Sequence, residues 1–181
     1  MFVNNVNMIL AIDEKNGLWI KWKLAWQISK DMSFFKEITS KTNNSSKYNA
    51  LIMWKKTWNS IPLKFKPLKN RINCILSRSS VKNNNNEFVI YSNSIDNLLY
   101  ELNNKKNIEN IFIIWWATIY KQFLLNNFLK RIYITRVFWD FWCDVFFDWI
   151  PSNFKRVDKT EIFEENWIKF CFEIYDKIEF E

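Results

Sequence analysis

The chain has 181 residues, which is enough to bury one hydrophobic core, and we expect a single domain over residues 1–181. Hydrophobic residues make up 49% of it and charged residues 25%, a balance that excludes a disordered chain and a fibrous repeat. The formal net charge of +7 is compatible with a nucleic acid, an anionic membrane surface or a small ligand that carries phosphates and carboxylates, so charge alone does not choose among them.

The first part of the chain predicts a strand, a loop and a helix. Residues 7–12 form a short apolar run typical of a buried strand, and the polar stretch that follows, up to Lys23, has no helical period, so we expect a mobile loop there. From Ser29 onward the apolar residues recur at helical spacing. With Ser29 as the N-cap, this pattern predicts an amphipathic helix over residues 29–39.

Strands and helices then alternate. Residues 50–53 predict a strand, residues 55–61 a helix that ends before Pro62, and residues 72–76 a second strand. The alternation continues with a strand at 88–91, a helix at 95–102, a strand at 108–114, a helix at 118–125 and a strand at 131–137.

The last part of the chain completes the fold prediction. Residues 156–163 and 168–175 predict an antiparallel hairpin around residues 164–167, at the edge of a sheet. The sequence therefore predicts a single-domain α/β fold: a mainly parallel twisted sheet flanked by helices on both faces, with a C-terminal antiparallel hairpin.

No segment predicts membrane insertion or metal binding. The longest wholly apolar run, residues 111–117, is far shorter than the roughly 18 residues that cross a bilayer, and residues 1–5 lack the basic start of a secretory signal, so we expect a cytoplasmic protein. Cys74, Cys143 and Cys171 have no CxxC spacing, and the chain has no histidine. We therefore expect buried, reduced thiols and no metal site.

Glycine is almost absent from the chain. Gly17 is the one glycine beside eleven tryptophans, although average usage would give about 13 glycines in a chain of this length. Because glycine supplies tight turns and left-handed backbone, a domain without it would have few ways to make short connections. We therefore expect that other residues stand at positions where a fold of this size needs glycine.

Four successive motifs carry a family resemblance. They are residues 23–26 (KLAW) followed by Asp31, residues 52–58 (IMWKKTW), Arg71, and residues 113–117 (IIWWA) followed by Tyr120. Taken in this order they resemble the signatures of dihydrofolate reductase over almost the whole chain. That family carries Leu-Pro-Trp before its catalytic acid, an Ile-Met-Gly-(Arg/Lys)-x-Thr block and an Ile-Gly-Gly block. The sequence departs from these patterns at Ala25, Trp54, Trp115 and Trp116.

Most of the tryptophans stand where the family has glycine. Only Trp26 and Trp58 lie where the family has tryptophan. The nine others are Trp19, Trp22, Trp54, Trp115, Trp116, Trp139, Trp142, Trp149 and Trp167. We hypothesise that a codon read as glycine by the source organism is written here as tryptophan, since certain bacterial lineages read UGA as glycine. A UGG codon at any of the nine would contradict this hypothesis, and the alternative is that these tryptophans are genuine aromatic core.

The resemblance implies a reaction and a catalytic residue. It implies NADPH-dependent reduction of 7,8-dihydrofolate to 5,6,7,8-tetrahydrofolate for one-carbon metabolism, with hydride delivered to pterin C6 while Asp31 assists protonation of N5. Burial beside apolar side chains is expected to favour the neutral form of Asp31. Without the preceding Leu-x-Trp, Asp31 would be interpreted as a first-turn carboxylate stabilised by the helix dipole.

The resemblance also implies residues that bind the substrate. Arg71 matches the arginine that grips the α-carboxylate of folate with a bidentate fork, the alternative being a solvated loop arginine. The substrate-binding residues implied are Ile9, Ala11, Asp31, Met32, Phe35, Lys36, Ile61, Leu68, Arg71, Ile114, Tyr120 and Thr135. Taken singly, each apolar member of this set is more simply explained as core.

The cofactor implied is NADPH rather than NADH. Lys55 follows a predicted strand and Arg78 follows the next, and two cations at these places suit the 2′-phosphate. The cofactor-binding residues implied are Ala11, Ile12, Trp19, Ile20, Trp54, Lys55, Lys56, Thr57, Ser77, Arg78, Trp115, Trp116, Ala117, Thr118 and Ile119. As written, the indoles at 54, 115 and 116 would fill space that glycine leaves open, so we expect the printed chain to fold poorly and not to bind NADPH.

Other functions stay open from the sequence. One is the reductase of riboflavin biosynthesis, which has a similar fold but lacks the Leu-x-Trp-x4-Asp pattern and the arginine. Another is a basic nucleic-acid-binding protein with tryptophans as stacking platforms, and a third is an inactive product of misread codons. Under the reductase interpretation we expect a monomer whose partner is dihydrofolate, with no nucleic-acid or membrane partner.

Overall fold

The computed structural model describes residues 5–21, 24–78, 86–114, 120, 128–147 and 149–178. They belong to two compact units, one made of residues 1–6 and 36–116 and the other of residues 7–35 and 117–181. The predicted helix at 118–125 lies, apart from Tyr120, outside the described residues. Among the described residues, no helix is both long and apolar enough to cross a membrane.

The strands and helices are numbered in chain order. The strands are β1 (Asn5–Ile12), β2 (Gly17–Trp19), β3 (Tyr48–Trp54), β4 (Arg71–Leu76), β5 (Val89–Ser92), β6 (Ile108–Ile114), β7 (Leu129–Val137), β8 (Val145–Phe146), β9 (Phe154–Lys159), β10 (Phe163–Glu165) and β11 (Ile168–Lys177). The helices are α1 (Ser29–Ser40), α2 (Lys55–Ser60) and α3 (Ile95–Asn104), and a single 3-10 turn covers Leu63–Phe65.

The first unit contains a parallel sheet in the order β6-β3-β4-β5. Every residue of β4 is buried, and the central residues of β3 are buried as well, as expected when a parallel sheet is covered on both faces. In α3, Ser94 caps the first turn by accepting a hydrogen bond from the Asn97 N–H, and the helix buries Leu98 and Leu102. Parallel pairing brings the carboxyl ends of β3 and β4 together, with Trp54 opposite Leu76.

The second unit contains antiparallel strands. β11 pairs with β7 along one edge and with β9 and β10 along the other, all three antiparallel. A core cluster covers this region, consisting of Trp26, Ile28, Val137, Cys143, Phe170 and Phe172. Together with the first unit, these strands confirm the predicted fold class, an α/β protein whose central sheet is mainly parallel and whose C-terminal strands are antiparallel.

Three sequence predictions about local structure were wrong. Ser29 is not an N-cap but the first residue of α1, and its N–H is bound by Glu165. The loop after β1 contains a strand, β2, which pairs with β8; two strands of two or three residues are too short to show a period. The single strand predicted at residues 156–163 is two strands, β9 and β10, because the chain leaves the ladder at Thr160, whose hydroxyl accepts the Phe172 N–H.

The three cysteines are buried free thiols, as predicted. Cys74 lies in β4, Cys143 precedes β8 and Cys171 lies in β11. Burial raises the pKa of the Cys143 thiol to about 12, so this thiol stays protonated at neutral pH.

Candidate active site

Asp31 lies in the first turn of α1, where it is 8% exposed. The Thr135 hydroxyl donates a hydrogen bond of 2.6 Å to its Oδ1 atom, and Thr135 is buried on β7. Among the described residues, Thr135 is the hydrogen-bond partner of this carboxyl group. The structure thus brings together two of the predicted substrate-binding residues, which are 104 positions apart in the sequence.

Burial raises the pKa of the Asp31 carboxyl from 3.8 to about 6, while hydrogen bonding from Thr135 and Trp26 lowers it and the charge of Glu165 raises it. The Nε1–H of Trp26 is buried and meets no acceptor at full hydrogen-bond geometry among the described residues, so its effect is that of a poorly aligned donor. Desolvation is the dominant cause. A carboxyl group that titrates near pH 6 can exchange a proton close to neutral pH.

Trp26 forms part of the apolar wall of this site. The indole is 4% exposed and belongs to the core cluster, and its ring lies 5.2 Å from the ring of Phe141. Phe34, one turn of α1 beyond Asp31, stacks on Phe172 with 4.0 Å between ring centroids. Phe34 is not among the residues predicted for the site, although its helical spacing indicates a buried face.

The substrate-binding residues predicted on α1 differ in their burial. Phe35, four residues after Asp31, is buried on the same face, as helical geometry requires. Met32 is 44% exposed and Lys36 is exposed, so neither shares that buried face. One helical step rotates the Met32 side chain by roughly 100° away from Asp31, and its role in binding substrate stays a prediction.

The Tyr120 hydroxyl donates a hydrogen bond of 3.1 Å to the carbonyl of Ile9, and both residues are buried. The ring of Tyr120 also meets the ring of Phe147 edge-on at 6.1 Å. The hydrogen bond thus joins two predicted substrate-binding residues and holds the backbone of β1 at Ile9. On the same strand, Ala11 is half-buried and Ile12 is buried.

Arg71 is the first residue of β4 and is 5% exposed. Its Nε donates to the Lys69 carbonyl at 2.9 Å, and its Nη1 donates to the Thr39 hydroxyl at 2.9 Å. Burial lowers the pKa of the guanidinium to about 10, so it remains charged at neutral pH. Two neutral oxygens therefore fix the plane of a buried cation.

Two polar residues near Arg71 were missed from the sequence. Thr39, in the last turn of α1, is fully buried and orients Arg71. Asn73, in β4, accepts the Leu68 N–H at 3.0 Å and donates to the Leu68 carbonyl at 3.1 Å, so it holds the segment before the strand. Ile61 and Ile114, predicted with Leu68 as pocket residues, are buried.

The predicted phosphate-binding residues follow the adjacent strands β3 and β4. Lys55 is half-buried and Lys56 is exposed, while Thr57 is buried. Ser77 is buried and Arg78 is exposed beyond the end of β4. Their amines, guanidinium and hydroxyls form a donor set that suits phosphate oxygens.

Of the remaining predicted cofactor residues, the structure describes three, Trp19, Ile20 and Trp54. Trp54 stands at the N-cap of α2 with φ of −76°, a backbone conformation that does not itself require glycine. Trp19 and Ile20, at β2, are half-buried. Trp115, Trp116, Ala117, Thr118 and Ile119 lie outside the described residues.

The loop between β1 and β2 is organised by Asp13, which is fully buried. Its Oδ1 atom accepts the N–H groups of Lys15 at 2.9 Å and Gly17 at 2.6 Å, and its Oδ2 atom accepts the Phe141 N–H at 3.2 Å. A Cβ atom on Gly17 would lie 2.5 Å from Cβ of Cys143. The one printed glycine therefore occupies a position where no side chain fits.

Comparison with known proteins identifies the family. The family model described as dihydrofolate reductase matches residues 5–177. The chain belongs to the dihydrofolate reductase family. The dihydrofolate reductase of Drosophila melanogaster is 30% identical, over 94% of this chain and 97% of that protein. The dihydrofolate reductase of Schistosoma mansoni is 36% identical, over 94% and 95%.

A longer relative shows where the likeness ends. The bifunctional dihydrofolate reductase-thymidylate synthase of Plasmodium berghei is 39% identical over 92% of this chain, which corresponds to 30% of that protein. The likeness is thus to one part of the bifunctional protein. Membership of the dihydrofolate reductase family confirms the resemblance inferred from the four sequence motifs.

Proposed function

We propose that this protein reduces 7,8-dihydrofolate to 5,6,7,8-tetrahydrofolate with NADPH, and that Asp31 assists protonation of the pterin at N5. The observation that carries the proposal is the buried Asp31–Thr135 pair, a single carboxyl group in an apolar wall with a pKa near 6. The names and coverage of the relatives support the same reaction.

Asp31 has the properties that the proton step needs. Because burial raises its pKa, a substantial fraction is protonated close to neutral pH, while the ionised form remains accessible. The Thr135 hydroxyl donates to Oδ1, and we propose that the carboxyl group contacts the pterin through its other oxygen. Trp26 and Phe35 exclude water around the group.

Arg71 is proposed to bind the substrate's α-carboxylate. Its guanidinium is buried and charged, and Thr39 and the Lys69 carbonyl hold its orientation before any ligand binds. Preorganisation of this kind reduces the entropy lost on binding. A carboxylate would supply the negative charge that a buried cation favours.

NADPH, when bound, would supply the hydride that reduces C6 of the pterin. Lys55, Lys56 and Arg78 are proposed to hold its phosphates, because this group of cations fits a phosphate-bearing nucleotide in charge and hydrogen-bonding capacity. The half-buried indole of Trp54 adjoins Lys55, and glycine there would leave more room for the backbone to approach a ligand. A cytoplasmic monomer is part of this proposal.

The proposal is tested by following NADPH oxidation in the presence of dihydrofolate. The printed chain and a version with glycine at the nine suspect positions are compared, and we expect activity in the glycine version. In that version Asp31→Asn should lower kcat by about 10²- to 10⁴-fold, the usual contribution of a general acid. Asp96→Asn, at an exposed first-turn aspartate of α3, is the matched control and should leave kcat unchanged.

Two results would contradict this function. The first is full activity in Asp31→Asn, which would remove the proposed role of the carboxyl group. The second is no dihydrofolate reduction by either version of the chain, which would direct attention to the riboflavin-pathway substrate and then to nucleic acid.

A further inference from the structure

The first turn of α1 is held by a carboxylate from a distant hairpin. Oε1 of Glu165 accepts the Ser29 N–H at 2.7 Å, and Oε2 accepts the Lys30 N–H at 3.1 Å. Glu165 is the last residue of β10 and lies 136 positions after Ser29. One side chain thus satisfies two of the N–H groups that a helix start leaves without an intrahelical acceptor.

The residue before the helix cannot do this. Ile28 stands at the usual capping position, since its carbonyl accepts the Met32 N–H, but its side chain is apolar and 2% exposed. A cap normally comes from a Ser, Thr, Asp or Asn side chain at that position. Burial of Ile28 in the core cluster therefore leaves the first turn dependent on Glu165.

The hairpin is fixed on this turn by a second contact. Nζ of Lys30 lies 3.2 Å from the ring centroid of Phe163, which is two residues before Glu165 and therefore on the same face of β10. Phe163 packs in turn against Phe170 and Phe172, with 5.8 Å between ring centroids in each pair. Glu165 is thus presented to α1 by a strand that is itself anchored in the core.

We propose that Glu165 is a positioning residue for Asp31: it fixes the first turn of α1, on which Asp31 stands, and sets the charge that this carboxyl group experiences. The inference rests on the proposed function, because Asp31 handles the proton there. Asp31 follows Lys30 directly, so a movement of the first turn moves Asp31 with it.

The electrostatics agree with this geometry. Two backbone N–H groups lower the pKa of Glu165, so it is the ionised form of Glu165 that acts on Asp31 near pH 6. Its charge raises the pKa of Asp31, in the same direction as burial. The other groups that act on Asp31 are neutral, Thr135 and Trp26, which makes Glu165 the one charged contributor among the described residues.

The experiment compares Glu165→Gln with Glu164→Gln, both made in the version with glycine at the nine suspect positions. Gln keeps an oxygen that can accept one of the two N–H bonds but removes the charge. Glu164 is exposed and points to the opposite face of β10, so Glu164→Gln makes the same change of net charge without touching α1. The Asp31 carboxyl is titrated by ¹³C NMR in both variants, and its resonance is identified by its loss in Asp31→Asn.

We expect the titration midpoint of Asp31 to move to lower pH in Glu165→Gln and to stay in place in Glu164→Gln. The pH at which kcat for dihydrofolate is half-maximal should move in the same direction, with KM changed little. Equal midpoints in the two variants would overturn the proposal. If the glycine version without these substitutions does not reduce dihydrofolate, the proposed function fails, while the NMR titration still decides the role of Glu165.

Glu165→Ala separates positioning from charge. It removes both acceptors, so we expect a lower Tm and a lower kcat than in Glu165→Gln, whose cap is half kept. If Glu165→Ala and Glu165→Gln have the same Tm and the same kcat, the capping contact does not position Asp31.

Discussion

The buried carboxyl group of Asp31 beside Trp26 and the left-handed turn at Asn166–Trp167 both lower the stability of the protein, but only the first has a functional use. Asp31 is 8% exposed, and this burial makes its ionisation harder, while Trp26 beside it is 4% exposed. Trp167 is 89% exposed and adopts φ of 66° after Asn166 at 52°, the left-handed region that favours glycine. A loss of stability is expected at a site that handles a proton. A loss of stability at an exposed turn without a function indicates that tryptophan is not the residue this turn requires.

The turn geometry identifies the residue it needs. Glu165 pairs with Ile168, so Asn166 and Trp167 form a two-residue hairpin loop. Positive φ at both central residues is the geometry for which Asn-Gly is the preferred sequence. Trp142, 79% exposed with φ of 52°, repeats the pattern. These two positions support glycine as the intended residue on grounds independent of the family resemblance.

The largest expected effect is the loss of Trp26. Trp26→Gly should lower the free energy of unfolding by about 3 to 5 kcal/mol, because it empties a packed site in the core. Urea denaturation followed by circular dichroism measures the change. If the free energy of unfolding falls by less than about 1 kcal/mol, Trp26 does not stabilise the core, and the contrast with Trp167 fails.

The next effect is on Asp31 itself. Its pKa is 3.8 unfolded and about 6 folded, so between these values the folded state binds more protons and stability falls as pH rises. Asp31→Asn should therefore raise the free energy of unfolding at pH 7 by about 3 kcal/mol, although it lowers kcat. The gain should vanish below pH 3.8, and a gain that does not depend on pH would contradict this interpretation.

Trp167→Gly should have the opposite sign from Trp26→Gly. Relief of a left-handed residue is worth about 1 to 2 kcal/mol, so we expect the free energy of unfolding to rise by that amount. Trp139→Gly is the control, because Trp139 is 57% exposed and is not among the residues with positive φ. Glycine should destabilise at Trp139, and a similar gain at both positions would point to solubility rather than backbone strain.

The smallest effect is expected at Trp142. Trp142→Gly should add about 1 kcal/mol, less than at Trp167, because the loop around it can relax more than a two-residue hairpin. The hydrogen bond from its N–H to Asp140 Oδ1 is a backbone contact and survives the change. Thermal melting of the single and double glycine variants measures the gain, which should add to that at Trp167. A decrease in Tm would show that the indole makes a contact worth more than the strain.

Much of the fold could be predicted from the sequence, because its strongest signals are local. The strands of the first unit are apolar runs, and each was predicted to within two residues of its bounds. Asp31 and Arg71 were found through neighbouring motif residues. Trp142 and Trp167, the two tryptophans with positive φ among the described residues, are also among the nine that the sequence marks as standing in place of glycine.

The parts that could not be predicted depend on distant partners. Thr39 orients Arg71, Asn73 holds Leu68 and Glu165 caps α1, yet each is an ordinary polar residue in the sequence. The sequence predicts Ser29 as the N-cap because Ser is preferred there, whereas Ser29 is the first residue of the helix itself. The preference of Ser for the N-cap position did not decide the cap here, because Glu165 binds the Ser29 and Lys30 N–H groups and reaches them only in the folded chain.

The cap on α1 also sets an order of events during synthesis. Ser29 and Glu165 are separated by 136 residues, so a ribosome adding 5 to 20 residues per second makes Glu165 about 7 to 27 s after Ser29. During that interval water alone can satisfy the first turn of the helix. The first turn of α1, which carries Asp31, is therefore among the last parts of the fold to form its native contacts. A chain that ends before Glu165 would hold Asp31 on a helix turn without this cap.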